Sequence, residues 1–205
     1  MAEIKFTKTE LRLQQNRLNQ LFKYLPTLQL KKALLQAEVS ETKQEIAVIL
    51  ESLELEKSSA EEYAALFTIP VAVDVAQFAK VTDIKRRYEN IAGADVPYFQ
   101  SCSFEPITYD LFETPIWLEA VIAGLRTINR MLAQISVSEE KLAILEKELR
   151  EVSIRVNLFE KILIPRCERN IKKIKVFLGD QQLAAVSQAK VAKAKIEERK
   201  TSHAH

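Results

Sequence analysis

Apolar residues recur every seven positions over two long stretches of this chain, one at each end, and that spacing leaves few folds open. The first set reads Leu11, Leu18, Leu25, Lys32, Val39, Ile46, Leu53, Ala60 and Phe67. Its companion set, three residues further on, reads Gln14, Leu21, Leu28, Leu35, Thr42, Ile49, Glu56 and Tyr63, so that 13 of 17 positions are apolar. The second stretch runs Val121, Ile128, Ile135, Leu142, Leu149, Val156, Leu163, Asn170 and Phe177. Its companions are weaker: Gly124, Met131, Ser138, Leu145, Val152, Phe159, Arg166 and Lys173. Seven residues fall slightly short of two α-helical turns, so a stripe with this period stays on its partner only if the helices wind left-handedly around each other. The surface helix of a globular domain does not sustain the pattern over about eight heptads. The expected fold is mainly α: a long left-handed antiparallel two-helix coiled coil, with a small helix and β-hairpin connector at one end.

The rest of the composition fits long amphipathic helices. Three glycines and six prolines punctuate 205 residues, of which 28 % are charged and 47 % hydrophobic. No apolar run reaches the 18 or so residues of a membrane span, and the opening Met1-Ala-Glu-Ile-Lys-Phe lacks a signal-peptide core, so no direct membrane insertion is expected. Cys102 and Cys167 match no metal or redox spacing and read as unpaired thiols of a reducing, intracellular compartment.

Charge is unevenly spread although the formal net value is only +2. Residues 1–37 carry seven Lys/Arg against two Glu, residues 38–62 carry two Lys against eight Glu, and residues 166–205 carry ten Lys/Arg against four Asp/Glu. Both ends are basic, yet neither interleaves aromatic residues or holds a base-reading motif, so no nucleic-acid partner is expected. Solvated basic helix is the ordinary reading of such runs.

The chain divides into an N-terminal helix (1–67), a connector (68–115) and a C-terminal helix with a basic tail (116–205). In the connector, Ile69-Pro70 starts extended. Asp74 to Tyr88 reads as a short helix with Asp74 as N-cap. Ile91 to Phe99 and Ser101 to Tyr109 read as β-prone runs broken by Pro97 and Pro106 and forming a small hairpin. Thr114-Pro115 is a start signal for the second long helix. Each long helix would extend about 90 Å. A turn-rich connector cannot run that distance, so the helices pair antiparallel. Facing residue numbers in such a helical hairpin then sum to about 183, which puts Val39 near Leu142 and Leu53 near residue 130. Both basic segments meet at one end, where Pro26 and Pro165 each remove a backbone hydrogen bond and bend their helices.

Catalytic patterns are missing from the sequence. Three isolated glycines form neither a phosphate loop nor a dinucleotide fingerprint. His203 and His205 lie in a polar tail, and Glu139-Glu140, Glu146 and Glu148 fall on exposed heptad positions. No catalytic, cofactor or metal residue is expected. Lys32 and Asn170 at seam positions either set register or mark where another subunit replaces the partner helix.

A more specific pattern runs from Arg155-Val-Asn157 through Ile164-Pro165-Arg166 into a basic-apolar helix with Ile171 and Ile174. With Thr7-Lys8-Thr9-Glu10-Leu11, Leu30-Lys-Lys-Ala-Leu-Leu35, Ile91-Ala-Gly93-Ala-Asp-Val96-Pro97, Tyr109-Asp-Leu111 and Thr114, it resembles the D subunit of the V/A-type rotary ATPases, in order and over nearly the whole chain. Pro26 and the segment 179–188 depart from that family's pattern. The resemblance implies a non-catalytic central-stalk axle without a cofactor. Both its termini would point into a ring of catalytic A and B subunits, and the small F subunit of the stalk would bind its side. Its lower end would seat on the subunit capping the membrane rotor ring, on the cytoplasmic face, and the chain would not be a homo-oligomer in the complex. Arg155, Asn157, Ile164, Pro165, Arg166, Gly93, Val96 and Pro97 are the candidate rotor-interface residues on this ground. The second reading is a prefoldin-like coiled-coil holdase chaperone, which needs apolar residues at the helix tips. The Ala/Lys-rich run from Gln188 argues against it.

Overall fold

The structure, a computed structural model, describes residues 5–62, 75–106, 115 and 117–202. In chain order these form α1 (Lys8–Glu62), the short α2 (Val75–Ala79), strands β1 (Val81–Ile91) and β2 (Ala94–Phe104), and α3 (Leu118–Leu158). A π-helical turn (Phe159–Leu163) follows and leads directly into α4 (Ile164–Ser202). Thr7 caps α1: its Oγ1 accepts from the Glu10 N–H at 3.2 Å and its carbonyl from the Leu11 N–H at 3.0 Å. The acidic Glu10 in the first turn also suits the positive end of the helix dipole. The chain forms two compact units, one of residues 1–30 with 153–205 and one of residues 31–152.

In the second unit, α1 and α3 pair antiparallel. Lys31 meets Glu148 at 3.8 Å, Lys43 meets Glu146 at 2.7 Å and Glu45 meets Lys141 at 3.7 Å, pairs that straddle the expected register. The Lys31–Glu148 and Lys43–Glu146 bridges are partly solvent-exposed, so they select register more than they stabilise, at about 0–1 kcal/mol each, whereas Lys141 is itself buried. In the first unit, Leu21 packs with Ile164 and Cys167, flanked by Leu18, Leu25, Phe159 and Leu163, and Gln29 Nε2 donates to Glu160 Oε1 at 2.6 Å. Leu25 and Ile164 bring the neighbourhoods of Pro26 and Pro165 into one cluster, and α1 continues through Pro26 without a break.

The heptad reading of α1 holds at every described position. From Leu11 to Ala60 each of the seam residues is buried or half-buried, polar ones included. Thr42 is buried because its hydroxyl donates to the Glu38 carbonyl at 2.8 Å, and Gln14 Nε2 donates to Glu10 Oε1 at 2.9 Å. In α3 the seam likewise stays covered from Val121 to Val156, and the cover extends to Leu163 in the π turn.

Beyond Leu163 the covered stripe departs from the expected seam. Arg166, Lys173 and Phe177 are exposed, whereas Ile164, Cys167, Ile171 and Ile174 are buried, each one position later than a seam residue of the unbroken heptad. Of the expected set only Asn170 remains buried, beside Ile171. The π turn is the physical cause. The Ile164 N–H bonds to the Phe159 carbonyl, five residues back instead of four, so one extra residue is inserted and the stripe moves on by one. The wider turn comes directly before Pro165, which has no N–H to give and whose ring crowds the preceding carbonyls of a regular helix.

The connector also differs from expectation. The helix expected over 74–88 ends at Ala79, where the Lys80 N–H bonds the Gln77 carbonyl, and β1 occupies Val81–Ile91. Val81, Thr82, Ile84, Tyr88 and Ile91 favour a strand, and cross-strand pairing outweighs the helix-like Lys85-Arg86-Arg87 run. The hairpin exists, but its strands are not the expected pair. The described parts of the runs 91–99 and 101–109 fall mostly within β2, which continues through Gln100. β1 and β2 are antiparallel, joined at Ala92-Gly93, both with positive φ (50° and 87°) as a two-residue hairpin turn requires. Asn90 Oδ1 accepts from the Gly93 N–H at 3.0 Å, and Asn90 Nδ2 donates to Asp95 at 2.7 Å. Pro97 lies inside β2 opposite Tyr88, tolerated because each strand of a two-stranded sheet keeps a free edge. Pro106 follows the end of β2, and Leu118 opens α3 with its N–H on the Pro115 carbonyl at 3.0 Å. Tyr63, Phe67, Ile69, Pro70, Asp74, Tyr109, Leu111, Thr114, His203 and His205 lie outside the described residues.

The hairpin lies along the helix pair of its unit. At its base Arg126 donates to the carbonyls of Phe78 (2.9 Å) and Glu105 (2.6 Å) and covers the Phe104 ring at 5.2 Å, while Asn129 donates to the Ala79 carbonyl at 2.7 Å. Midway, Arg86 pairs with Glu140 at 2.7 Å and Lys141 sits over the Tyr98 ring at 4.2 Å. At the tip, a Cβ added to Gly93 would lie 3.6 Å from Lys31 Nζ. Phe78, Leu118 and Ile122 close the base as a small core with Val75 and Trp117.

The two irregular backbone sites can be tested by substitution. Ala92 holds a left-handed conformation that costs an L-residue about 1–2 kcal/mol. Ala92→Asn, which tolerates it, should raise unfolding stability by ~1 kcal/mol in urea titrations. Because the π turn corrects register, deleting exposed Ile162 together with Pro165→Ala should give a continuous α-helix with the same apolar seam and an unchanged or higher thermal midpoint. Deleting Lys147 instead throws the following seam outward and should cost more than ~3 kcal/mol.

Candidate functional site

Among the described residues no three His, Cys, Asp or Glu side chains converge as a metal-binding group, and Cys102 and Cys167 are both free thiols, the latter buried in the seam. No helix of the described residues is long and apolar enough to cross a membrane. What the chain does present is shaped surface.

The eight residues singled out from the sequence fall into two groups, one per unit, and play unlike parts. In the first unit Ile164 is buried in the seam and Pro165 is half-buried, its carbonyl accepting from Arg169 Nε at 3.2 Å. Arg155, Asn157 and Arg166 are exposed. In the second unit Gly93 forms the hairpin turn, and Val96 and Pro97 are buried. Val96 and Pro97 therefore act through packing, while Arg155, Asn157 and Arg166 lie at the surface.

Surface features with no clear mark in the sequence lie nearby. In the second unit a cleft of about 500 Å³ opens between β2 and the two helices, walled by Val48, Ile49, Pro97 and Phe99 with Glu41 at its side. Lys141 lines it with a side chain only 4 % exposed, its ammonium shared between Glu45 and the Tyr98 ring. A lysine next to a seam position normally reads as a solvated flank, so only the folded hairpin reveals this one. Arg126, which ties the hairpin base to α3, carries no sequence signal either.

In the first unit, Phe6 and Phe177 pack ring to ring at 4.9 Å, tilted by 39°, beside Val176. Arg169, Lys172 and Lys173 stand around them, and Asp180 is the one carboxylate of the group. From Asp180 through Glu197 every residue of α4 is exposed, including Leu183, Val186, Val191 and Ile196. This length of α4 thus presents apolar and basic side chains together on an open surface.

Comparison with known proteins points the same way. The family model described as the ATP synthase D subunit matches residues 10–194. The V-type ATP synthase D subunit of Chlamydia felis is 44 % identical over 202 residues, covering 97 % of this chain and 96 % of that protein. The corresponding protein of Chlamydia caviae is 43 % identical with the same shares, and that of Chlamydia muridarum 42 % over 200 residues, covering 97 % and 98 %. Because the match takes in both heptad stretches, the hairpin and Ile164-Pro165-Arg166, the chain belongs to the family of ATP synthase D subunits.

Proposed function

We propose that this chain is the non-catalytic central-stalk axle of a V-type ATP synthase, carrying rotation between a nucleotide-binding ring and the membrane rotor ring. The observation that carries the reading is the division of labour along α3 and α4. Their seam residues are covered by helix pairing up to Ile174, while the described side chains of α4 beyond Gly179 are exposed. A segment with that composition asks for a surrounding surface. The A and B subunits of the ring would supply it, with Lys190, Lys193 and Lys195 set against acidic or carbonyl-rich walls. The small F subunit and the subunit capping the membrane ring would take other faces, placing the chain on the cytoplasmic side of a membrane-associated complex. The segments 1–67, 68–115 and 116–205 are then shaft, connector and shaft with bearing tail, and Arg155, Asn157 and Arg166 are contacts along the shaft.

The mechanism needs stiffness and asymmetry rather than acid–base groups. A helix pair whose faces differ presses unequally on the catalytic interfaces around it. Nucleotide state then biases rotor angle, and rotor angle biases nucleotide affinity by the same free energy. A holdase would hold clients at open helix tips, and neither the family nor the relatives support that alternative.

Truncation after Leu178 tests the bearing. The shortened chain should keep the helix content of its remaining residues and bind the small stalk subunit within about twofold of the full chain. Reconstituted complexes carrying it should hydrolyse ATP with ion pumping reduced several-fold, more so at higher salt as the remaining charges are screened. Full coupling across a salt series would overturn the reading.

A further inference from the structure

The slip of the seam at the π turn has a consequence on the outside of the helix. On an uninterrupted heptad Lys173 and Phe177 would be seam residues; with one residue inserted they face outward. There they join Phe6 and Val176 in a cleft of about 490 Å³, rimmed by Arg169, Lys172 and Lys173, with Asp180 as the single carboxylate. Phe6, Val176 and Phe177 are 44 %, 57 % and 40 % exposed and line the same cleft, so together they form one open apolar patch. Among the described residues neither Lys172 nor Lys173 has an ion-pair partner, and Arg169 uses only its Nε, on the Pro165 carbonyl.

We propose that this cleft docks an acidic protein segment bearing one large apolar anchor residue. The anchor inserts against Phe6, Val176 and Phe177, and flanking carboxylates pair with Arg169, Lys172 and Lys173. Three cations against one anion set the charge of the occupant, and the volume suits one or two large side chains. Burying the anchor removes apolar surface from water, while the rim cations give orientation and on-rate. Nucleic acid fits less well. Phe6 and Phe177 are tilted by 39° against each other, which leaves no flat face for base stacking. The inference rests on the axle reading in one respect: it takes the assembled complex as the place where the partner is found.

The test places a photo-cross-linking benzoylphenylalanine at Val176 in the full-length chain, assembles the complex, irradiates it and maps the product by mass spectrometry. The expected product joins position 176 to a segment of another subunit with at least two Asp or Glu within about one helical turn of an apolar residue. Lys172→Glu with Lys173→Glu should cut the cross-link yield at least tenfold. Both side chains are exposed, so the thermal midpoint of the free chain should not move. A cross-link to nucleic acid, a cross-link to a segment without acidic residues, or a yield indifferent to the charge reversal overturns the proposal. A complex that contains the chain but gives no cross-link overturns the docking inference alone; a complex that forms without the chain overturns the axle reading and the inference with it.

Discussion

Two helices that meet along a narrow seam bury few side chains per residue, so the seam holds only if it is long and kept in step. In α1 it is kept in step from Leu11 to Ala60 without a missed position. Its polar members are satisfied locally: Thr42 bonds back to Glu38, and Gln14 to Glu10. That local satisfaction matters because a buried hydroxyl or amide without a partner costs about 1–3 kcal/mol, a large share of what a thin seam provides. The ion pairs beside the seam contribute mainly to choosing which residues face each other. A slip by one heptad would preserve the apolar stripe but separate Lys43 from Glu146 and Lys31 from Glu148.

The same requirement explains the π turn. The sequence after Leu163 carries its apolar residues one position late, at Ile164, Cys167, Ile171 and Ile174. A regular helix would turn Arg166 and Lys173 inward, burying charge without partners. One five-residue turn removes that conflict and gives the ring of Pro165 room. A single backbone irregularity thus decides which side chains are core and which are surface for the rest of α4.

How much of this is legible in the amino-acid order depends on the length scale of the signal. Seven-residue periodicity is a sum over many positions, so it survives local exceptions and identifies α1 and α3, while their antiparallel pairing follows from a connector too turn-rich to span the length of a helix. That the connector holds a hairpin is legible from its β-prone and turn-prone residues, but its turn at Ala92-Gly93 and the strand β1 are not. Lys85-Arg86-Arg87 looks like a solvated helix face until β2 is there to pair with it, and strand preference depends on such neighbours. The register slip is visible only if two short heptad sets are compared across Leu163, because it is carried by one residue. It sorts the candidate contacts too, leaving Arg166 on the surface and Ile164 in the seam. Lys141 is the extreme case. Its burial is made by Tyr98 and Glu45, which are far from it in sequence.

The distribution of these features bears on how a stalk subunit can take part in energy conversion. Torque is transmitted only if the surface differs from one side to another, since a uniform cylinder would present the same face to every neighbour. Here asymmetry has two separate sources, one in each unit. The hairpin covers one flank of its helix pair, held at the base by Arg126 and midway by Glu140 and Lys141. The π turn rotates basic and aromatic residues of α4 out of the seam. Neither requires a reactive side chain. Both depend on anchoring the asymmetric surface to covered residues, so that a push on the surface is resisted by packing that must be disrupted before the helix can yield.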